Sequence, residues 1–136
     1  MRSCIRWILP ILCSTILQAG DLAAPTVAKF IRVIASSGGG KAACRDKEVA
    51  AELATLGVPV DAESKVVWVT LDAEVGKLAK LGRLVVGGKL EMLAAGASVA
   101  LVAEGGRPTI YVSAKNLAGT GVTLPDSVLK ISKVVK

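Results

Sequence analysis

Two glycine-lysine segments, Gly38-Gly39-Gly40-Lys41 and Gly87-Gly88-Lys89, are where this chain could hold an anion on backbone N–H groups. The first lacks the spacing of a phosphate loop, because Ala35 stands where the leading glycine is needed and Ala42 where a Ser or Thr must follow the lysine. The second follows a β-branched run and precedes Leu90, where a short helix is expected to open with unsatisfied N–H groups. In an open α/β sheet, ligands bind in the crevice at the carboxyl ends of the parallel strands. Asp46, Thr70, Asp72, Gly87, Gly88 and Lys89 would all sit at that edge. The competing reading makes the two aspartates N-caps and the glycine pair a tight βα turn. Ser113 with Lys115, and Ser127 with Lys130, have the composition of Ser/Lys nucleophile pairs, but neither has the neighbouring groups that such catalysis needs. Histidine is absent, which removes the commonest general base and a common zinc ligand, and aromatic residues at 3% leave few platforms for stacking nucleic-acid bases. A non-enzyme is expected, with no cofactor, no metal and no nucleic-acid partner.

The N-terminus has the layout of a secretory signal peptide: Arg2 and Arg6, an apolar core from Trp7 to Leu17, then Gln18-Ala19-Gly20. Cleavage is expected after Ala19, with Ala24 as the alternative end, and the mature protein is expected in the periplasm. Removing residues 1–19 takes away two arginines and no acid, so the net charge falls from +6 to +4. Acids and bases alternate along the rest, without the like-charge block of a nucleic-acid arm. The same cut removes Cys4 and Cys13, leaving Cys44 without an intramolecular partner. Cys44 is then either a small buried hydrophobe or a thiol that pairs with another chain.

These residues need a scaffold, and the chain's periodicities supply one. Thr26 to Ala35 reads as a helix with Val27, Phe30, Ile31 and Ile34 inward, followed by a flexible connector, Ser36 to Gly40. DKEVAAELATLG (46–57) and DAEVGKLAKLG (72–82) echo each other as short amphipathic helices, each with Asp at the N-cap and Gly past the end. Their inward faces are Val49, Leu53 and Leu56, and Val75, Leu78 and Leu81. Lys65 to Leu71 and Arg83 to Val86 are apolar on both faces, as suits central parallel strands, and Lys41 to Cys44 is a third short strand. Trp68 is expected in the core.

After these comes a hairpin from Ala97 to Val112, whose strands flank Glu104-Gly105-Gly106-Arg107, a turn that favours positive φ. Tyr111 alternates with Ile110 and Val112, so one side of this strand must face away from the core. Thr123, Leu124 and Pro125 then start a closing helix whose apolar side is Leu129, Ile131, Val134 and Val135, with Lys130, Lys133 and Lys136 as a solvated stripe. The fold class expected is α/β: a single domain from residue 25 to 136, with a mixed, mostly parallel sheet flanked by helices, a C-terminal β-hairpin and a closing helix.

The segment VALVAEGGRPTIYVSAKNLAGTGVTLPDSVLKISKVV, with AKFIRVIA and KAACRDKEVAAEL upstream, resembles the YfiR/HmsC family. That resemblance implies a small exported α/β protein, homodimeric and without catalytic residues. It would act as a periplasmic signalling regulator in the cyclic-di-GMP pathway, binding the sensor domain of a membrane-bound diguanylate cyclase or another sensor protein. The family's disulfide partners for Cys44 are missing from this chain. On this reading the partner surface is the hairpin face, Glu104, Arg107, Ile110 and Tyr111. The alternative is a periplasmic small-ligand binding module using the Gly87-Gly88-Lys89 edge.

Overall fold

Residues 22–135 are described by the computed structural model, and the signal peptide expected over 1–19 lies outside the described residues. Helix α1 (Ala24–Ala35) carries Pro25 in its first turn, where a missing N–H leaves no hydrogen bond unmade. Val27, Ala28, Ile31, Ile34 and Ala35 form its buried stripe, whereas Phe30, expected inward, is only partly buried. The Ser36–Gly40 connector folds back on the helix end, its Gly38 and Gly40 amides both donating to the Ala35 carbonyl (2.8 and 2.7 Å).

Three βα units follow: β1 (Ala42–Cys44) with α2 (Lys47–Thr55), β2 (Val66–Val69) with α3 (Asp72–Lys80), and β3 (Leu84–Gly87) with α4 (Met92–Ala95). Asp46 caps α2 as expected, its Oδ1 accepting from the Glu48 and Val49 amides at 3.0 and 3.4 Å. Asp72 does not cap α3. It is the first helical residue, behind an N-cap Leu71 that offers no side-chain bond, so its charge acts only on the helix dipole. Leu81, expected on the inner face of that helix, is 70% exposed, because the helix has already ended at Lys80.

The sheet runs β1-β2-β3-β4-β5-β6 in space, with β4 (Val99–Glu104), β5 (Arg107–Ser113) and β6 (Ser132–Val135) completing it. The first four strands are parallel; β5 is antiparallel to β4, and β6 is parallel to β5. The fold is thus a single α/β domain with a mixed, mostly parallel sheet. Gly105 and Gly106 (φ 59° and 77°) make the two-residue hairpin turn between β4 and β5, a conformation other residues adopt only with strain.

Side-chain alternation divides the core between the two faces of the sheet. Ala42, Val66, Trp68, Leu84, Val86, Val99, Leu101, Ile110 and Val112 pack with α1, α2 and the helix α6 (Asp126–Ile131). Ala43, Val67, Val69 and Val85 pack with Val75 of α3 and Met92 of α4 on the other. Being buried on both faces, β2 and β3 use β-branched residues and leucine almost throughout, as central parallel strands must. Each fully buried side chain of this kind contributes roughly 1.5–3 kcal/mol.

The closing helix is shorter than its pattern suggests. It ends at Ile131, and Ser132–Val135 become β6, paired to β5 from Ile110↔Ser132 to Ser113↔Val135. Two β-branched valines and an open β5 edge make a ladder more favourable than another helical turn. Leu124 and Val128 are the buried anchors; Ile131, Val134 and Val135 are 62%, 57% and 41% exposed. A short helix, α5 (Ala114–Ala118), occupies the expected connector, capped by the Ser113 hydroxyl, which accepts from the Asn116 amide at 3.3 Å.

Candidate functional site

At the carboxyl edge of the parallel strands, on the α1 side of the sheet, lies a cavity of about 290 Å³. Asp46 enters it from the end of β1, Thr70 from the end of β2, and Gly88 and Lys89 from the end of β3, so four of the six residues expected at this edge are brought together. Leu22, Val27, Met92 and Leu101 form its apolar wall. Gly87 and Asp72 do not line it. Gly87 and Gly88 do not have positive φ, and their lack of a side chain has a packing reason. A Cβ on Gly87 would collide with Met92, and one on Gly88 would lie 3.3 Å from Cη2 of Trp68.

Trp68 also borders this cavity and is 8% exposed, in the core as expected. Its indole Nε1–H has no hydrogen-bond partner among the described residues. A buried donor left unmade costs about 1–3 kcal/mol. The side chain was legible as core, but its orphaned donor depends on which way the ring turns and left no mark in the sequence.

The second candidate region is the outer face of β4–β6. Tyr111 Oη donates to Glu104 Oε2 at 2.5 Å, and Lys133 Nζ lies 3.5 Å from Glu104 Oε1 and 5.4 Å from the centre of the Tyr111 ring. The phenol hydrogen bond and then the ammonium hold the Glu104 carboxyl below its usual range. The carboxylate in turn raises the Tyr111 hydroxyl above its usual value, and the two neighbours raise Lys133. Arg107 is exposed beside the turn. Ile110, expected on this face, is instead 1% exposed and packs in the core, since alternation that turns Tyr111 outward turns Ile110 and Val112 inward. Lys133, read as part of a helical stripe, joins the face because Ser132–Val135 are strand.

A further cavity of about 340 Å³ lies below β1 and β2, beside α3. Three of its four charged side chains are already engaged, Lys77 being the exception: Arg45 Nη1 donates to Glu74 Oε2 at 2.5 Å, and Arg83 donates from Nε and Nη2 to the Ser64 carbonyl and from Nη2 to that of Ala62. Cys44 borders it, half-buried and free, its Sγ donating to the Asp46 carbonyl at 3.3 Å. Burial raises its thiol above the usual value, so the nucleophilic thiolate is disfavoured. Ser113 is buried as the α5 cap, and Ser127 is exposed. Among the described residues no three His, Cys, Asp or Glu side chains are grouped to hold a metal ion. No helix among them is long and apolar enough to cross a membrane.

No family model matches the chain, and no curated protein does. Among solved structures it is similar to a conserved domain protein from Vibrio cholerae O1 biovar El Tor strain N16961, with a TM-score of 0.66 at 12% sequence identity. The match covers 85% of this chain and 61% of the other, so the chain spans under two thirds of its length. At that identity the likeness shows the fold alone.

Proposed function

We propose that this protein is a non-catalytic periplasmic regulator that binds the sensor domain of a membrane protein along the β5–β6 edge of its sheet. The resemblance to the YfiR/HmsC family makes a diguanylate cyclase the first partner to try. The observation that carries the reading is β6, an edge strand in the described sheet, bearing Val134 and Val135 in the open and preceded by exposed Ile131. An edge strand offers unpaired N–H and C=O groups to an incoming chain, and soluble proteins normally blunt such edges with charges, prolines or bulges. Here the one charge on the strand, Lys133, leans over Tyr111 toward Glu104. The occupant that fits is an extended partner segment that adds a strand, with apolar side chains against the valines and acidic ones toward Arg107 and Lys130. The net charge of +4 expected once residues 1–19 are removed favours an acidic segment in the same way.

A photo-crosslinking residue at position 134, in cells, tests this. A crosslink to a membrane sensor protein, lost in a Val134→Lys chain of unchanged melting temperature, is the expected result. Crosslinks to a second copy alone would make the edge a homodimer seam and overturn the sensor reading, as would no crosslink at all.

A further inference from the structure

We infer that the cavity at the carboxyl edge of β1–β3 is a receptor site for a small organic acid with a donor group beside its carboxylate: a 2-amino or 2-hydroxy acid with a short apolar side chain. The first ground is Trp68. Its Nε1–H is buried without an acceptor among the described residues, and its side chain is part of the cavity lining. Cζ2, two bonds from Nε1, lies 3.7 Å from where a Cβ on Gly88 would stand. A bound carboxylate oxygen supplies the acceptor that the protein does not. The reading of this edge as N-cap plus tight turn accounts for Asp46 and the glycines, but leaves that donor unexplained.

The second ground is charge of both signs. Lys89 is exposed at the rim and forms no ion pair among the described residues, which suits it to a ligand carboxylate. Asp46 uses Oδ1 for its cap and leaves Oδ2 without a hydrogen bond among the described residues, next to Thr70 in the same cavity. A simple anion would be repelled there, whereas an amino or hydroxyl group on the neighbouring carbon donates to Oδ2. The third ground is size and lining. About 290 Å³ is at the small end for ligand pockets, too small for a nucleotide, and its apolar wall takes a short aliphatic side chain.

The inference is independent of the β5–β6 edge, so a Val134→Lys chain would retain it. The test is NMR on the full chain, following the indole Nε1–H resonance of Trp68, which is identified by its absence in Trp68→Phe. Titration with L-valine and L-leucine, then with their 2-hydroxy counterparts, separates the two ligand sources; isovalerate and isobutylamine lack the donor and the carboxylate respectively. The expected result is a downfield move of the Trp68 resonance with the amino or hydroxy acids. Binding should weaken about tenfold or more in Lys89→Ala and in Asp46→Asn, which still caps α2, and persist in Lys89→Arg. Lys89 is exposed, so its variants should melt like wild type. The inference is overturned if no probe moves the resonance at millimolar concentration, if isovalerate binds as tightly as L-valine, or if Lys89→Ala leaves affinity unchanged.

Discussion

Replacing Ile110 by alanine separates the buried face of β5 from the exposed β6 edge most cleanly. Ile110 is 1% exposed, opposite Leu101 on β4 and Ser132 on β6, while Val134 on the adjoining strand is 57% exposed. The substitution removes three buried carbons, worth about 0.8 kcal/mol each on transfer, or about 2.4 kcal/mol together. The cavity left behind adds a further term, since strands paired on both sides of Ile110 limit collapse, and the loss comes to about 3–4 kcal/mol. For a chain of 136 residues, at roughly 4 °C per kcal/mol, that lowers the melting temperature by about 12–16 °C. Val134→Ala should change stability by no more than about 0.5 kcal/mol. Thermal melts by circular dichroism, with urea unfolding to check that the m-value is unchanged, read both numbers. If Ile110→Ala costs under about 1 kcal/mol, or Val134→Ala costs as much as Ile110→Ala, the assignment of this face of β5 as buried and of β6 as an open edge is wrong, and with it the exposed edge on which partner binding rests.

Three other outcomes follow from named contacts. Tyr111 is the single tyrosine, so tyrosinate absorbance titrates it alone: its midpoint should lie above the usual phenol value and move back toward it in Glu104→Gln. With Tyr111 raised, its bond to Glu104 stabilises the fold at pH below the usual phenol value and is lost as pH rises through the raised one; with Glu104 lowered, the same pair holds above the usual carboxyl range and is lost only as pH falls through its lowered value. An unshifted tyrosine midpoint would count against the pair. Asn116 Nδ2 donates to the Leu93 and Ala97 carbonyls at 2.8 and 2.9 Å, tying the α4–β4 loop to α5, so Asn116→Ala should cost about 1–3 kcal/mol in urea unfolding, and a neutral effect would refute that tie. Cys44, half-buried with a raised thiol, should alkylate more slowly than a free model thiol at neutral pH and give no reducible dimer; rapid labelling or a reducible band on gels would show an accessible, pairing thiol.

Local rules were enough for much of the scaffold. Asp46 and Gly57 bound α2 because a side-chain cap and a positive-φ glycine act within one turn of chain, and Gly105-Gly106 set the hairpin for the same reason. The β-branched runs at Val66–Val69 and Leu84–Gly87 announced strands buried on both faces, because no solvated side chain interrupts them. What those rules could not reach was decided by distant neighbours. Ser132–Val135 could continue a helix on periodicity alone, and became strand because β5, twenty-odd residues earlier, offered an open ladder. Ile110 and Tyr111 are both strand residues of high β propensity, and which of them faces the core was set by the register with β4 and by α6 packing over one side. The edge cavity divides in the same way. Asp46, Thr70, Gly88 and Lys89 were legible as strand-end residues, since any parallel sheet gathers such positions along one side. The unpartnered indole of Trp68 beside them exists only because the fold buries that ring against Gly88, and burial beside residues distant in sequence is a property of the packed structure.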